Sequence, residues 1–435
     1  MRILLCGDTP GVSQLLAHVP LQNVVGIIAA TIRPQYLKTL ESLAKTEKVS
    51  LLVQPKWKSE RYDEFLRKII QSKPDLILVN SYSMIIREDV LSASRLGGIN
   101  VHGALLPRNR GCNPTQWAIL NQEYETGVTL HQMDSGIDTG PIIDQRKIPI
   151  FFHDSWLDVR EREVQVTNDL LKSNVPGILL GNWKAIPQRK ENATTGRRRT
   201  PEDGEFFWSE KIIDIHNKIR ALLPPLPCAF YRNQNDESTE LPQYQTPWQL
   251  TVGKYGEKSK DEFIQSENIR LLPLQKKDSD LLDDWNLDTV LPFGDSNYGP
   301  NSGENQGAWI ERMMTKRSDL IIFAIEEMEH SKPIGTCSLH NINWRNRSSE
   351  VQVRIKDSEY FSQSYEIEAV NLLCDFGFDD LNLHRVYLHI FADNKNAIRA
   401  YEQIGFVKEG CHKEPAFSDG SWRDILYMSK IEKNE

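Results

Sequence analysis

The sequence predicts an α/β protein that begins with a doubly wound, mostly parallel sheet and continues into a separate α+β domain. Up to about residue 150, short apolar runs alternate with helical stretches, as in sheets whose crossovers are helices. From Ile269 onward a new block of longer strands and two helices begins. The 435 residues exceed one ordinary domain, so two or three domains are expected.

Seven apolar runs are predicted as strands of the first sheet. A helix at 62–72 separates two of them, because its apolar residues recur at helical spacing. Residues 155–183 are expected to form one long helix and a second, shorter one. Residues 188–208 are expected as a loop, and 209–225 as a helix stopped by two prolines. The strand runs are RILLCG, VVGIIAA, SLLVQP, DLILVNS, GINVHG, GVTLHQM and IIDQRKIPI.

The second half has its own pattern of elements. After Tyr231 the polar run RNQNDESTELPQYQTPWQ is predicted as a connector or irregular subdomain. The strands expected beyond it are LIIFAIEEM, PIGTCSLHNI, SEVQVRI and RVYLHIF, and the helices are YEIEAVNLLCDFGFDDL and KNAIRAYEQIG. The predicted domains are 1–190, 191–262 and 263–435.

Composition restricts the class of protein. The formal net charge of −8 argues against broad binding to nucleic acid or a membrane surface, although it allows a local basic pocket. The six cysteines stand far apart without a C-x-x-C pair, so we expect no zinc site and a reducing compartment. We also expect no signal peptide, and no apolar run approaches the ~20 residues of a membrane span. The expectation is a cytoplasmic protein with no metal, nucleic-acid or membrane partner.

Two polar residues lie at the end of the predicted strand GINVHG. Asn100 and His102 are two positions apart, and such residues share one face of a strand. Doubly wound sheets bind ligands beyond the carboxyl ends of their strands. The spacing therefore predicts a small polar site at this edge.

The loop MDSGIDTG adds two carboxylates, Asp134 and Asp138, among glycines that let the backbone approach a ligand. An amine that attacks a carbonyl carbon creates a negative oxygen and a nitrogen that must lose a proton. Asn100 could stabilise that oxygen, His102 could move the proton, and Asp138 could orient the imidazole. A satisfied polar histidine and a turn-forming aspartate are the structural alternatives.

The segments INVHGALLPRNRGCNPTQWAI and ETGVTLHQMDSGIDTGPII resemble the folate-dependent formyltransferase family, of nucleotide-sugar N-formyltransferase type. The resemblance covers roughly the first 230 residues. It implies a Rossmann-like fold with a small C-terminal extension, and 10-formyltetrahydrofolate as formyl donor. It further implies that Asn100, His102 and Asp138 are catalytic. The cofactor-binding residues that it implies are Ser81, Met84, Ile85, Ile86, Asp134 and Asp138.

The charge of the chain helps to decide which kind of molecule carries the amine that accepts the formyl group. A tRNA formyltransferase of this family ends in a basic domain that grips RNA phosphates, whereas this acidic chain continues into an α+β domain. We therefore expect a nucleotide-linked amino sugar, with methionyl-tRNA as the alternative acceptor. Arg108, Arg110 and Arg199 are candidates for binding a diphosphate, and Trp117 for stacking on a base or sugar. The alternative for the arginines is a solvated basic loop, and the alternative for the tryptophan is core packing.

The segment VYLHIFADNKNAIRAYEQIGFVKEG is similar to the last motif of GNAT-type N-acetyltransferases, a resemblance that spans about 268–431. It implies that Asn394 and Asn396 lie near coenzyme A and that Tyr401 protonates the leaving thiolate, unless Tyr401 only packs behind its helix.

The phosphate-binding loop of that family is altered in this chain. Glu359, Ser362 and Ser364 stand where the family has Gln or Arg and small residues. Added side chains hinder the approach of a phosphate to bare N–H groups, and Glu359 adds negative charge. We therefore expect weak acetyl-coenzyme A binding. We predict that the acetyltransferase activity of this domain is weakened, or that the domain serves binding or assembly. The alternative is a bifunctional N-formyl/N-acetyltransferase.

Amino-sugar routes to bacterial surface glycans use both N-formyl and N-acetyl transfer, and the pseudaminic acid route uses a GNAT-type enzyme. A chain that joins these two modules resembles the enzymes of such routes. By that analogy the preferred acceptor is a 4-amino-4,6-dideoxyhexose on UDP or TDP. A homodimer is compatible with the sequence.

Overall fold

The computed structural model describes residues 1–32, 34–233, 235–255, 264–274, 318–355, 360, 365–418 and 420–432. The chain forms two compact units. One comprises Met1–Asp203 with Ala221–Leu223, and the other comprises Gly204–Arg220 with Pro224–Glu435. The three-part division at residues 190 and 262 stays a prediction, and residues 256–263 lie outside the described residues.

The first unit is built on one large sheet with helices on both faces. Its strands are β1 (Ile3–Gly7), β2 (Val24–Ala30), β3 (Leu51–Gln54), β4 (Leu76–Asn80), β5 (Gly98–His102), β6 (Arg110–Gly111), β7 (Glu125–Gln132), β8 (Ile142–Pro149) and β9 (Thr195–Gly196). Its helices are α1 (Thr9–His18), α2 (Pro34–Thr46), α3 (Glu60–Ser72), α4 (Glu88–Ser92), α5 (Pro114–Leu120) and α6 (Trp156–Leu179).

The order of this seven-stranded sheet is β3-β2-β1-β4-β5-β7-β8. The strands from β3 to β5 are parallel, and β7 and β8 are antiparallel to their neighbours. The doubly wound, parallel-rich sheet predicted from the sequence is thereby confirmed. A small separate pair joins β6 to β9.

Both faces of the central strands are buried, which explains their continuous apolar runs. On one face, Leu5 and Leu78 pack with Leu15 of α1 and Leu170 of α6. On the other face, residues such as Ile77 pack with the apolar side of α3. The carboxyl ends of β4 and β5 are left at one edge.

Helix α6 differs from the prediction, because one continuous helix replaces the expected long and short pair. It runs through Pro176, with Val175 and Ile178 both buried in the core. A proline removes one backbone hydrogen bond from a helix interior. The apolar stripe continues across that position, so the helix ends only near Gly181, whose φ is +70°.

The second unit contains most of α7 (Ile212–Ala221), with α8 (Pro247–Tyr255), α9 (Tyr365–Asp379) and α10 (Lys395–Gln403). Its strands are β10 (Ala229–Arg232), β11 (Ser238–Leu241), β12 (Ile264–Gln265), β13 (Ile269–Pro273), β14 (Ile321–Glu327), β15 (Lys332–Asn343), β16 (Ser348–Ile355), β17 (Arg385–Phe391), β18 (Val407–Ser418) and β19 (Ser421–Ile431). The last eight form a sheet of order β12-β13-β14-β15-β16-β17-β19-β18.

The predicted connector after Tyr231 is more regular than expected. It forms the hairpin β10–β11 and then α8. The side-chain oxygen of Asn233 accepts hydrogen bonds from the backbone N–H groups of Asn235 and Glu237, which closes the turn. Strand β11 is largely exposed, so it lacks the apolar alternation by which a strand is recognised.

Among the described helices, none has the length and apolar character needed to cross a membrane.

Candidate active site

Two neighbouring strands of the first unit bring four polar side chains to one face of the sheet. Asn100 pairs with His131, and His102 pairs with Thr129, across β5 and β7. Residues directly opposite on antiparallel strands share a face. The predicted convergence of Asn100 and His102 therefore includes a second histidine.

Asp138 enters this group from the loop that follows β7. Its φ of +53° lies in the left-handed region, which aspartate tolerates better than most residues. One carboxylate oxygen lies 3.3 Å from Asn100 Nδ2 and 3.4 Å from His131 Nε2. The other lies 3.5 Å from His102 Nδ1 and accepts the Gly111 N–H at 2.9 Å. The three residues proposed as catalytic thus lie in one cluster.

The surroundings of Asp138 favour its charged form. Burial opposes ionisation, but the charge of His102, the contact with His131 and the Gly111 N–H together lower the pKa of Asp138 to about 2. Asp138 is therefore an anion at neutral pH and can orient two imidazoles.

His102 is held from both sides. Its Nε2 donates to the carbonyl oxygen of Asn109 at 2.9 Å, and its Nδ1 faces Asp138. Asn109 is itself well anchored, because its backbone N–H donates to Thr194 and its side chain donates to Glu123. With Nε2 donating to Asn109, Nδ1 is the ring nitrogen at which a proton can be taken up, and Asp138 faces it.

His131 is the member of the cluster that sequence reasoning missed. Its Nδ1 donates to the Gln132 carbonyl at 2.7 Å, and its Nε2 lies 3.2 Å from Asn100 Nδ2 and 3.4 Å from Asp138. In the neutral ring Nε2 accepts from Asn100, and in the charged ring it donates to Asp138. Asp138 accepts the other amide hydrogen of Asn100. The signal was present in GVTLHQM, where Thr129 and His131 repeat the two-residue spacing of Asn100 and His102.

The loop Ser81–Ile86, predicted to hold the donor, follows β4 at the same edge of the sheet. In the part of the chain that the structure describes, the backbone N–H groups of residues 82–86 have no protein acceptor. Met84 contacts the Thr31 hydroxyl, Ile85 is 63% exposed, and Ile86 is buried in the core. Unused backbone donors beside an exposed apolar side chain fit a flat heteroaromatic ring with polar edges.

Two other residues predicted to contact the formyl donor, Ser81 and Asp134, already have protein partners. The Ser81 hydroxyl accepts from Arg160 at 3.3 Å. Asp134 is exposed, and one of its oxygens accepts from the Gly136 N–H and the Thr139 hydroxyl. That oxygen of Asp134 shapes its own turn, whereas Asp138 joins the cluster.

The residues predicted to bind the acceptor divide into two groups. Arg108 faces two carboxylates, Glu123 at 3.6 Å and Glu125 at 3.2 Å, so its charge is already balanced. Arg110 instead donates to the amide oxygen of Gln188, and Gln188 donates to the carbonyl of Asp138 at 2.9 Å. Arg110 is therefore linked to the loop that carries Asp138 without a carboxylate in that contact.

Trp117 and Arg199 lie beside the short β6–β9 pair. The Arg199 guanidinium lies 5.4 Å from the centre of the Trp117 ring, and that of Arg197 lies 5.8 Å away. Burial lowers the pKa of Arg199, and its Nε is buried without a hydrogen-bond partner among the residues that the structure describes. A cation beside an aromatic face is suited to an anionic ligand that carries a ring.

The predicted coenzyme A residues of the second unit lie on and around α10. Asn394 caps the helix by accepting from the Ala397 N–H at 3.2 Å, and Asn396 is exposed in the first turn. Tyr401 is buried, and its hydroxyl donates to Glu366 at 2.6 Å. Burial and this carboxylate raise the pKa of Tyr401. The altered phosphate-loop residues Glu359, Ser362 and Ser364 lie outside the described residues.

Comparison with known families matches each unit to a different enzyme class. Residues 3–175 match the formyl transferase family, and residues 268–407 match the acetyltransferase (GNAT) domain. The chain joins a formyl transferase domain to a GNAT domain. Both resemblances seen in the sequence motifs are confirmed, and the Asp138 cluster lies in the formyl transferase domain.

Solved structures similar to this chain include examples of both domains. A sugar N-formyltransferase from Shewanella is 24% identical with a TM-score of 0.48, over 56% of this chain and 97% of that one. A sugar 3N-formyl transferase, solved with dTDP and 5-N-formyl-THF, is 19% identical with a TM-score of 0.44, over 62% and 93%. Mutant forms of a Vibrio cholerae spermidine/spermine N-acetyltransferase are 26% identical with a TM-score of 0.34, over 38% and 94%.

Proposed function

We propose that this protein transfers a formyl group from 10-formyltetrahydrofolate to the amine of a nucleotide-linked amino sugar. The observation that carries this proposal is the ionised Asp138, placed against Asn100, His102 and His131 within a formyl transferase domain.

Each member of the cluster has a role in the proposed reaction. Asn100 offers N–H groups to the oxygen on which negative charge develops. That oxygen competes with His131 for an amide hydrogen, so His131 keeps the amide aligned before substrate arrives. His102 takes up the proton of the attacking nitrogen at Nδ1, the ring nitrogen that faces Asp138, and Asp138 orients the ring and stabilises its charged form.

The donor supplies the one-carbon group and binds along Ser81–Ile86. The free backbone N–H groups there and the exposed Ile85 match the polar edges and flat face of a pterin.

The acceptor is proposed to place its diphosphate near Arg110 and Arg199 and its base or sugar against Trp117. Arg110 is linked through Gln188 to the loop that carries Asp138, so a bound diphosphate would hold the sugar amine near the cluster. The acidic net charge of the chain argues against tRNA as the acceptor. Our preferred acceptor is a 4-amino-4,6-dideoxyhexose on UDP or TDP. In this proposal the protein acts in the cytoplasm and formylates sugars that are used for surface glycans of the pseudaminic acid type.

The test is an acceptor panel read by mass spectrometry. The full chain is incubated with 10-formyltetrahydrofolate and UDP- or TDP-linked amino sugars, or with methionyl-tRNA. We expect N-formylation of a nucleotide-linked amino sugar. Formylation of methionyl-tRNA alone, or of no amino sugar in the panel, would contradict the proposal.

Two arginine variants form a matched pair for the acceptor site. Arg110→Gln should raise the KM for the nucleotide sugar about 10-fold without changing the KM for the folate, because a charged contact to phosphate is lost. Arg108→Gln is the control, since Glu123 and Glu125 already balance its charge. Equal effects of the two substitutions would refute the assignment of Arg110.

A further inference from the structure

The eight-stranded sheet of the second unit opens between two of its strands. Strands β16 and β17 are parallel but pair only at three positions, from Ser348 with Arg385 to Glu350 with Tyr387. Beyond these pairs β16 continues to Ile355 and β17 to Phe391. The two strands therefore form a fork that begins at Glu350.

A carboxylate and an imidazole meet across the start of this fork. Glu350 Oε1 lies 3.3 Å from His389 Nδ1, and their side chains are only 12% and 17% exposed. The same carboxylate accepts from Asn341 of β15 at 3.2 Å and from Gln352 of β16 at 3.3 Å. Donors on three strands thus hold Glu350, and Glu350 holds the ring of His389.

Among the described residues, none partners the other ring nitrogen of His389. His389 Nδ1 donates to Glu350, so Nε2 carries the lone pair of the neutral ring, and Nε2 is buried with no hydrogen bond. Gln352 Oε1 and Arg354 Nη1, on the same face of β16, are also buried and have no partner in the described part of the chain. Buried polar atoms nearly always have partners. Three such atoms beside one fork indicate a ligand that supplies them.

We propose that His389, oriented by Glu350, is the catalytic base of the acetyltransferase domain, and that it takes a proton from a primary amine attacking an acyl-coenzyme A thioester. The amine nitrogen bonds to the thioester carbonyl carbon, and the carbon–sulfur bond breaks. One proton passes from nitrogen to Nε2, and the thiolate takes up a proton from solvent. The products are an amide and a free thiol. The domain is then an active second transferase, which agrees with the bifunctional alternative and not with the weakened domain expected from the altered phosphate loop. This activity is independent of the formyl transfer proposed above.

The same domain contains a second histidine–glutamate pair that serves as a matched control. His330 Nδ1 lies 3.0 Å from Glu327, but the His330 side chain is 71% exposed. Glu327 also accepts the backbone N–H groups of Glu329 and His330, so this pair closes the turn between β14 and β15. It has the same chemistry as the fork pair without the buried free nitrogen.

The experiment measures thiol release from acetyl-coenzyme A by the full chain, with UDP-4-amino-4,6-dideoxyhexose or spermidine as acceptor. We expect release with one of these amines, and the products identify which class is used. His389→Ala and His389→Gln should each lower kcat about 100-fold, within the range of general-base catalysis. Glu350→Gln should lower it about 10-fold, and His330→Gln should leave it unchanged.

Calorimetric titration with acetyl-coenzyme A and the melting temperature separate catalysis from folding. The His389 variants should bind acetyl-coenzyme A as the unsubstituted protein does, with the same melting temperature. Thiol release at the unsubstituted rate in a folded His389 variant would overturn the proposal. So would an unsubstituted protein that releases no thiol with either amine.

Discussion

The two domains use buried histidine–carboxylate contacts in opposite ways. Around Asp138 both ring nitrogens of His102 and of His131 have partners, and the Asn100 amide is engaged as well. Around Glu350 the carboxylate has three donors, but His389 keeps one nitrogen without a partner. Every ring nitrogen of the first cluster thus has a partner, whereas among the described residues one nitrogen of the second has none.

The largest effect expected in the complete cluster follows loss of its proton carrier. His102→Ala should lower formyl transfer to the amino sugar by roughly 1,000-fold, because general acid–base catalysis is lost. His153, an exposed histidine of the same domain, is the control and should be silent when changed to Ala. Turnover assays decide this, and a His102→Ala variant with normal turnover would remove the mechanism.

The charge of Asp138 should stabilise the folded protein in a pH-dependent way. Its pKa is lowered from 3.8 to about 2, so the stabilisation is complete above about pH 4 and is lost as the pH falls through about 2. This shift corresponds to about 2 kcal/mol at pH 7. Asp138→Asn should therefore lower the free energy of unfolding by that amount at pH 7, measured in urea, and by progressively less between pH 4 and pH 2. A difference that does not change with pH would mean that the charge is not the cause.

His131 tests whether prior alignment of Asn100 matters. His131→Phe removes the acceptor for one amide hydrogen and should lower kcat for formyl transfer about 10-fold, because Asn100 loses its fixed orientation. His131→Gln keeps an acceptor and should recover part of the loss. If both variants are equally impaired, steric fit rather than hydrogen bonding explains the role of His131.

The smallest predicted effect concerns Tyr401. Tyr401→Phe removes the hydrogen bond to Glu366 and should destabilise the protein by about 1 kcal/mol, the usual net value of such a bond. The melting temperature reports this change. Because Glu366 is exposed and can bond to water instead, a loss above about 3 kcal/mol would contradict this account.

Local sequence pattern predicted much of the fold and the centre of the candidate site. Alternating apolar runs identify the strands of the first sheet, and the two-residue spacing of Asn100 and His102 places them on one face. Asp138 was found because its glycine-rich loop and the family motif both single it out. Each of these patterns involves residues that are close together in the sequence, so it can be recognised without knowledge of tertiary contacts.

The residues that sequence reasoning missed depend on strand pairing. His131 joins the site only because β7 runs antiparallel to β5 with Asn100 opposite it. Glu350 and His389 meet because β16 and β17, which are distant in sequence, pair in parallel and then diverge. The continuation of α6 through Pro176 likewise depends on the core packing of Val175 and Ile178.

The most direct test follows an isotope-labelled formyl group from 10-formyltetrahydrofolate into product. With UDP- or TDP-linked 4-amino-4,6-dideoxyhexose, we predict that the unsubstituted protein places the label on the sugar nitrogen and that His102→Ala places almost none there. Label that stays on the folate, or that reaches the sugar equally well in the His102→Ala variant, would contradict the account.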